Sequence, residues 1–212
     1  MTSPHNQPST FLYVVAAASG TGKTSLVAAL RERRPDLAVS VSHTTRPIRP
    51  GEQDGRNYYF VDRDAFLSLQ SNQGFLESAE VFGHLYGTSL AEIDRIRNSG
   101  QRTLLEIDWQ GALQIKEKIP TAQLIFILPP SLSALRERLT LRGQDAAEVI
   151  EHRLGLSVQE ISQYPAFDYL VVNDLFDLAL AQLDDIVSGR GEALKRVHQE
   201  LALGELLTSL LT

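Results

Sequence analysis

The chain has 212 residues and a formal charge of −6, from 20 basic against 26 acidic side chains. At 43% apolar it can bury a sizeable core, which excludes wholesale disorder; with no cysteine, it has no disulfide framework, thiolate metal site or cysteine nucleophile. No apolar run approaches the ~20 residues that span a bilayer, no Arg or Lys precedes the first apolar run, and the acidic balance argues against duplex nucleic acid. A cytoplasmic globular protein without nucleic-acid or membrane partners is expected.

In chain order, residues 1–10 are polar, contain two prolines and read as a disordered tail. An unbroken apolar run from residue 11 ends in a cluster of small residues and glycines, as a buried parallel strand ends at a turn. Helix formers follow over 24–34 and Pro35 closes them. Further strands are predicted at 38–42, 104–108, 124–128 and 169–173, with helices over 90–99, 111–118, 132–141 and 147–164. Strand–helix alternation predicts an α/β fold with a mainly parallel sheet.

Two stretches break the alternation. Residues 42–88 are rich in aromatics, glycine and charge and read as an inserted substructure. Residues 131–157 follow a Pro-Pro pair with helix formers and several arginines. A helix from residue 175 breaks near 188–191, and a leucine-rich helical extension fills 189–212. Its leucines at 201, 203, 206, 207, 210 and 211 form an apolar face expected to pack on its own domain, a homo-oligomer contact being the alternative.

Directly after the first strand stand Ala17, Ala18, Ser19, Gly20, Thr21, Gly22, Lys23 and Thr24. The P-loop pattern is Gly, four free positions, then Gly-Lys-Ser/Thr, so Ala17 takes the place of its first glycine. Gly20 and Gly22 let the backbone turn its N–H groups toward phosphate oxygens at the positive end of the following helix. Lys23 can reach the β- and γ-phosphates, and the Thr24 hydroxyl can ligate Mg2+. A glycine turn with a solvated lysine is the plainer reading, but the strand before and the helix after favour a nucleoside triphosphate site. A dinucleotide fingerprint fails, because its third glycine would fall at Ser25.

The stretch 44–60 places Arg46 and Arg49 among prolines, with Tyr58 nearby. Paired guanidinium forks and a phenol hydroxyl suit a second phosphate. The stretch resembles the guanylate kinase signature, Thr-[Ser/Thr]-Arg-x-x-[Lys/Arg]-x-x-[Asp/Glu]-x-x-Gly-x-x-Tyr-x-[Phe/Tyr]. Every specified position is matched, from Thr44 through Arg46, Arg49, Glu52, Gly55 and Tyr58 to Phe60. The resemblance covers about 11–185 and is nearest to the bacterial enzymes.

That resemblance implies a P-loop core (11–41, 89–130 and 158–188), a GMP-binding insert (42–88) and a lid (131–157). It implies GMP contacts from Ser42, Arg46, Arg49, Glu52 and Tyr58, and from Glu77, Tyr86 and Thr88 in a second segment. Asp108 matches an aspartate near guanine. Arg138, Arg142 and Arg153 match lid and catalytic arginines, with Lys23 and Arg46 also catalytic, and Asn173 matches an adenine-side contact. ATP and Mg2+ are implied as cofactors, and GMP, with dGMP, as acceptor in purine nucleotide metabolism. Departures are Ala17 and Ala18 where many relatives have Gly-Pro, Glu106 for an aspartate, to which no role is carried over, and Leu85 for a tyrosine.

Because the acceptor is already an oxyanion, no general base is needed, and catalysis rests on positioning and charge neutralisation. Arg136, Arg138 and Arg142 also fit an exposed helix face. The histidines at 5, 43, 84, 152 and 198 lack metal-ligand spacing; His43 is expected to bond local backbone, and Trp109 to be core or pocket wall. Two other classes share parts of this pattern. Catalytically silent guanylate-kinase-like scaffold domains usually have degenerate phosphate loops, and a sugar-phosphate kinase has no need of Glu77, Thr88 and Asp108.

Overall fold

The first apolar run forms β1 (Leu12–Ala17), the middle strand of a five-stranded parallel sheet in the computed structural model, in which residues 12–141 and 147–212 are described. The phosphate loop leads into α1 (Lys23–Arg33), followed by β2 (Leu37–Val39). The insert contributes β3 (His43–Thr44), β4 (Tyr59–Phe60), α2 (Arg63–Ser71), β5 (Phe75–Val81) and β6 (His84–Ser89). Next come α3 (Leu90–Asn98), β7 (Arg102–Glu106), α4 (Trp109–Lys118) and β8 (Gln123–Leu128). The chain continues through α5 (Leu132–Leu141), α6 (Ala147–Ile161), β9 (Tyr169–Val172), α7 (Phe176–Val187), α8 (Arg196–Gln199) and α9 (Gly204–Leu211).

The main sheet runs β2-β7-β1-β8-β9, and its two faces explain the unbroken apolar runs. Successive side chains point to opposite faces, and both faces are covered. Tyr13 and Val15 of β1 join Ile125 and Ile127 of β8 beneath α1 and α7, with Leu26, Leu30, Leu180 and Leu183. Leu12, Val14 and Ala16 join Leu124, Phe126 and Leu128 on the other face, with Ile115 of α4 and Ile161 of α6. Each such aliphatic side chain contributes roughly 1.5–3 kcal/mol on burial.

The insert has its own sheet, ordered β4-β3-β6-β5. A register shift between Phe75 and Glu77 marks a bulge in β5, after which Glu77 pairs with Thr88. Bulges re-aim side chains next to binding sites.

Leu135 and Leu139 of α5 form a separate small cluster with Ile150 and Leu154 of α6. The same α6 carries Ile161 into the main core, so the expected lid boundary at 157 falls inside a continuous helix. Leu207 and Leu210 of α9 are buried in the main core, flanked by Leu203 and Leu206, while Leu201 stays exposed. The C-terminal leucine face therefore packs on its own domain. The expected tail at 1–10 and Arg142 lie outside the described residues. Among the described residues, no helix is long and apolar enough to cross a membrane.

Candidate active site

A cavity of about 520 Å³ opens between the two sheets, at the carboxyl ends of β1 and β7. In open parallel sheets this is where ligands bind. Ser19, Lys23, Ser42, Arg49, Tyr58, Glu77, Tyr86, Asp108 and Arg153 all line it. The sequence placed every one of these in the site. The wall also includes Val81, Phe82, Glu106 and Ile107.

The phosphate loop is built as its glycines require. Gly20 and Gly22 adopt φ of +88° and +90°, a region that L side chains avoid. Ala17 remains in the strand without positive φ, so the missing first glycine costs no backbone strain. Thr21 turns inward, its hydroxyl donating to the Ala18 carbonyl at 2.9 Å. Helices α2, α3 and α4 are capped by Asp62, Ser89 and Asp108, but α1 has no side-chain cap. Its first-turn N–H groups are thus available to an anion.

Two groups secure the loop from across the chain. Asn173 donates its side-chain amide to the Thr21 carbonyl at 2.6 Å, and Arg138 reaches the same carbonyl at 3.3 Å and the Asn173 carbonyl at 2.9 Å. Both predicted residues therefore meet the loop itself and are absent from the cavity wall. Lys23 Nζ donates to the Ile107 carbonyl at 2.7 Å, and the Thr24 hydroxyl to Glu106 Oε1 at 2.5 Å. Ser19 N–H donates to Glu160 Oε2 at 3.0 Å.

On the insert side, Arg46 is buried behind the wall. Its guanidinium pairs with Glu52 at 2.7 Å, donates to the Pro47 carbonyl at 2.8 Å and lies 5.5 Å from the Tyr58 ring centroid. Glu52 also accepts from the Arg49 backbone N–H at 2.8 Å, so it braces both arginines and does not face the cavity. Burial pushes the Tyr58 phenol up to about 12, with the charge of Glu106 adding to the effect, so its hydroxyl is a donor at neutral pH.

Glu77 is the most deeply buried acid of the wall, 3% exposed. Its Oε1 accepts from the Thr88 N–H at 2.8 Å, and Thr88 lies behind it with its hydroxyl 3.3 Å from that of Ser42. Burial pushes the Glu77 carboxyl up to about 7; hydrogen bonding from Thr88 opposes this and the charge of Asp108 adds to it. Asp108 caps α4 through Gly111 N–H at 2.9 Å and faces the same space.

His43 differs from expectation. Its Nδ1 is buried without a hydrogen-bond partner, and its ring lies against Tyr59 at 4.8 Å and edge-on to Phe75 at 5.6 Å. The neighbouring strand positions, Tyr59 and Gly87, pair with His43 in the sheet ladder. Trp109 packs against the main core and is not on the cavity wall. Among the described residues, no group of three or more His, Cys, Asp or Glu is placed to hold a metal.

Sequence reading left Glu106, Gly111 and Glu160 without a role. Glu106 carried one usable signal, an acid at the carboxyl end of a buried parallel strand. Gly111 and Glu160 carried none.

A family profile described as guanylate kinase matches residues 9–190. The chain is 54% identical over 200 residues to the guanylate kinase of Alkalilimnicola ehrlichii, covering 94% of this chain and 98% of that protein. It is 50% identical over 202 residues to that of Vibrio cholerae, covering 94% and 97%. The crystal structure of guanylate kinase from Anaplasma phagocytophilum superposes with a TM-score of 0.69 at 33% identity, covering 93% of this chain and 96% of that one. The chain belongs to the guanylate kinase family.

Proposed function

We propose that the chain transfers the γ-phosphoryl group of ATP to GMP, giving ADP and GDP, and accepts dGMP through the same base and phosphate contacts. One observation carries this reading: an uncapped phosphate loop and a buried acidic pocket share one cavity. The relatives named guanylate kinase support it.

The first-turn N–H groups of α1 and Lys23 hold the ATP phosphates, with Arg138 and Asn173 fixing the loop that presents them. Arg49 and Tyr58, with Arg46 braced behind them, take the acceptor phosphate. Glu77 and Asp108 accept hydrogen bonds from guanine N1–H and N2–H, Ser42 and Tyr86 complete that pocket, and Thr88 braces Glu77 from behind. Bringing two anions together needs charge neutralisation, which Lys23 and Arg153 supply at the transferring group, with Arg142 assigned the same task by its motif. The acceptor oxygen is already ionised, so no side chain has to remove a proton.

Thr24 and Glu106 offer adjoining oxygens, the ligand type that Mg2+ prefers; they would hold the ion, which would supply further charge neutralisation at the phosphates. The insert and the α5–α6 segment close over the substrates and exclude water, which would otherwise compete for the phosphoryl group. The reaction belongs to cytoplasmic purine nucleotide metabolism. A homo-oligomer through the C-terminal extension would have to use Leu201 and Leu211, since the rest of that leucine face is covered.

A coupled ADP-release assay with GMP, AMP, UMP and ribose phosphates tests the reading. Rapid turnover with GMP alone is expected; preference for a ribose phosphate, or no turnover with any acceptor, would overturn it.

A further inference from the structure

Ser19 and Glu160 are 141 positions apart, yet the Ser19 N–H donates to the Glu160 carboxylate at 3.0 Å. This is the point where the C-terminal end of α6 meets the phosphate loop. Arg153 lies two turns earlier on α6, so it projects from the same face, and it lines the cavity that Ser19 lines. Between them Ser157 is fully buried, its hydroxyl donating to the Arg153 carbonyl at 2.9 Å. Next to Glu160, Ile161 is fully buried in the main core. Toward its N-terminal end, α6 packs on α5 through Ile150 and Leu154. The helix thus has one end in the core and the other in the outer cluster, and the Glu160 contact ties it to the loop.

We propose that Glu160 is a positioning residue: its carboxylate pins α6 to the phosphate loop and so sets where Arg153 stands against the transferring phosphoryl group. The inference rests on the role given above to Arg153. A carboxylate beside a site for polyphosphate is electrostatically unfavourable unless it is committed to a donor, and the Ser19 N–H is that donor. Burial also raises the carboxyl above its ordinary value, while the charge of Lys23 opposes this, consistent with a group enclosed against the loop.

Reach, not charge, is what such a pin requires. Glu160→Gln keeps an acceptor oxygen at the same distance from the backbone, whereas Glu160→Asp keeps the charge but withdraws it by one methylene. Steady-state kinetics should show Glu160→Asp losing about 10-fold or more in kcat with KM for GMP within about 3-fold, and Glu160→Gln recovering most of that loss. In an Arg153→Ala background, Glu160→Asp should cost less than about 3-fold further, because residues that act through one another are non-additive. Thermal unfolding of each variant checks that the compared proteins are folded. Equal or reversed effects of Gln and Asp, or full additivity with Arg153→Ala while that variant is itself impaired, would overturn the pin. Wild-type turnover by Arg153→Ala would instead overturn the role of Arg153 and the inference with it.

Discussion

Glu77 lies so close over Gly111 that a β-carbon added to the glycine would stand 2.5 Å from Glu77 Oε2. Gly111 occupies the first turn of α4, and its N–H is the one capped by Asp108. Two of the three acids that line the cavity, Glu77 and Asp108, therefore converge on one helix N-terminus, where negative charge is favoured. The absence of a side chain at 111 is what lets the buried carboxylate settle there.

Gly111→Ala should separate activity from stability. Alanine favours the helix by up to about 1 kcal/mol, which offsets part of the crowding, while Glu77 is displaced from the guanine edge. We expect a folded protein with kcat/KM for GMP lowered by about 10-fold or more. Wild-type kcat/KM in a folded variant would mean that Glu77 does not need its present position.

Burial of Glu77 also predicts a pH dependence of stability without nucleotide. Below the ordinary carboxyl value of 4.5, the group is neutral in both folded and unfolded chains. Between 4.5 and about 7 the unfolded chain releases its proton while the folded chain keeps it, so stability falls as pH rises. The loss reaches about 3 kcal/mol near neutrality and then levels off. Denaturant unfolding of wild type and Glu77→Gln at pH 5 and pH 8 should show the variant gaining on wild type at the higher pH. A difference independent of pH would contradict the burial argument.

Lys23→Met removes a cation from the transferring phosphates while keeping the length of the side chain. Turnover should fall by about 10³-fold or more, with the fold intact by circular dichroism. Near-normal turnover would remove the phosphate-loop assignment.

Glu106→Gln tests the oxygen pair at Thr24. Losing one anionic oxygen should raise the Mg2+ concentration for half-maximal rate by about 10-fold, with the saturated rate changing less. An unchanged Mg2+ midpoint would place the ion elsewhere.

Much of this was legible before the fold. The strands at 124–128 and 169–173 announced themselves because both faces of the sheet are buried, leaving no polar alternation to obscure them. The phosphate loop was legible because its function resides in consecutive residues. Arg49, Tyr58 and Glu77 were placed by the resemblance to the guanylate kinase family, carried by the stretches around 44–60 and 75–88. Asn173 and Arg138 were found, but their attachment to Thr21 was not, since it depends on β9 and α5 converging on the loop. Glu160 and Gly111 were invisible for the same reason: their partners lie 141 and 34 positions away, across contacts that only packing creates. His43 meets the rings of Tyr59 and Phe75 instead of local backbone, a contact across strands that no local pattern reveals.

Base choice tests most directly whether the acidic pocket reads guanine. The guanine edge presents two donors, N1–H and the N2 amine, where adenine presents an acceptor at N1 and nothing at C2. Above its raised value of about 7, Glu77 is ionised and can only accept, so at pH 8 it rewards guanine and repels adenine. The decisive measurement is kcat/KM for GMP and for AMP in wild type and Glu77→Gln. Guanine reading predicts a loss of about 10²-fold for GMP, equivalent to ~2.7 kcal/mol, without a parallel loss for AMP, since the new amide can donate to adenine N1. Flat rates for both nucleotides, or an equal fall in both, would contradict it.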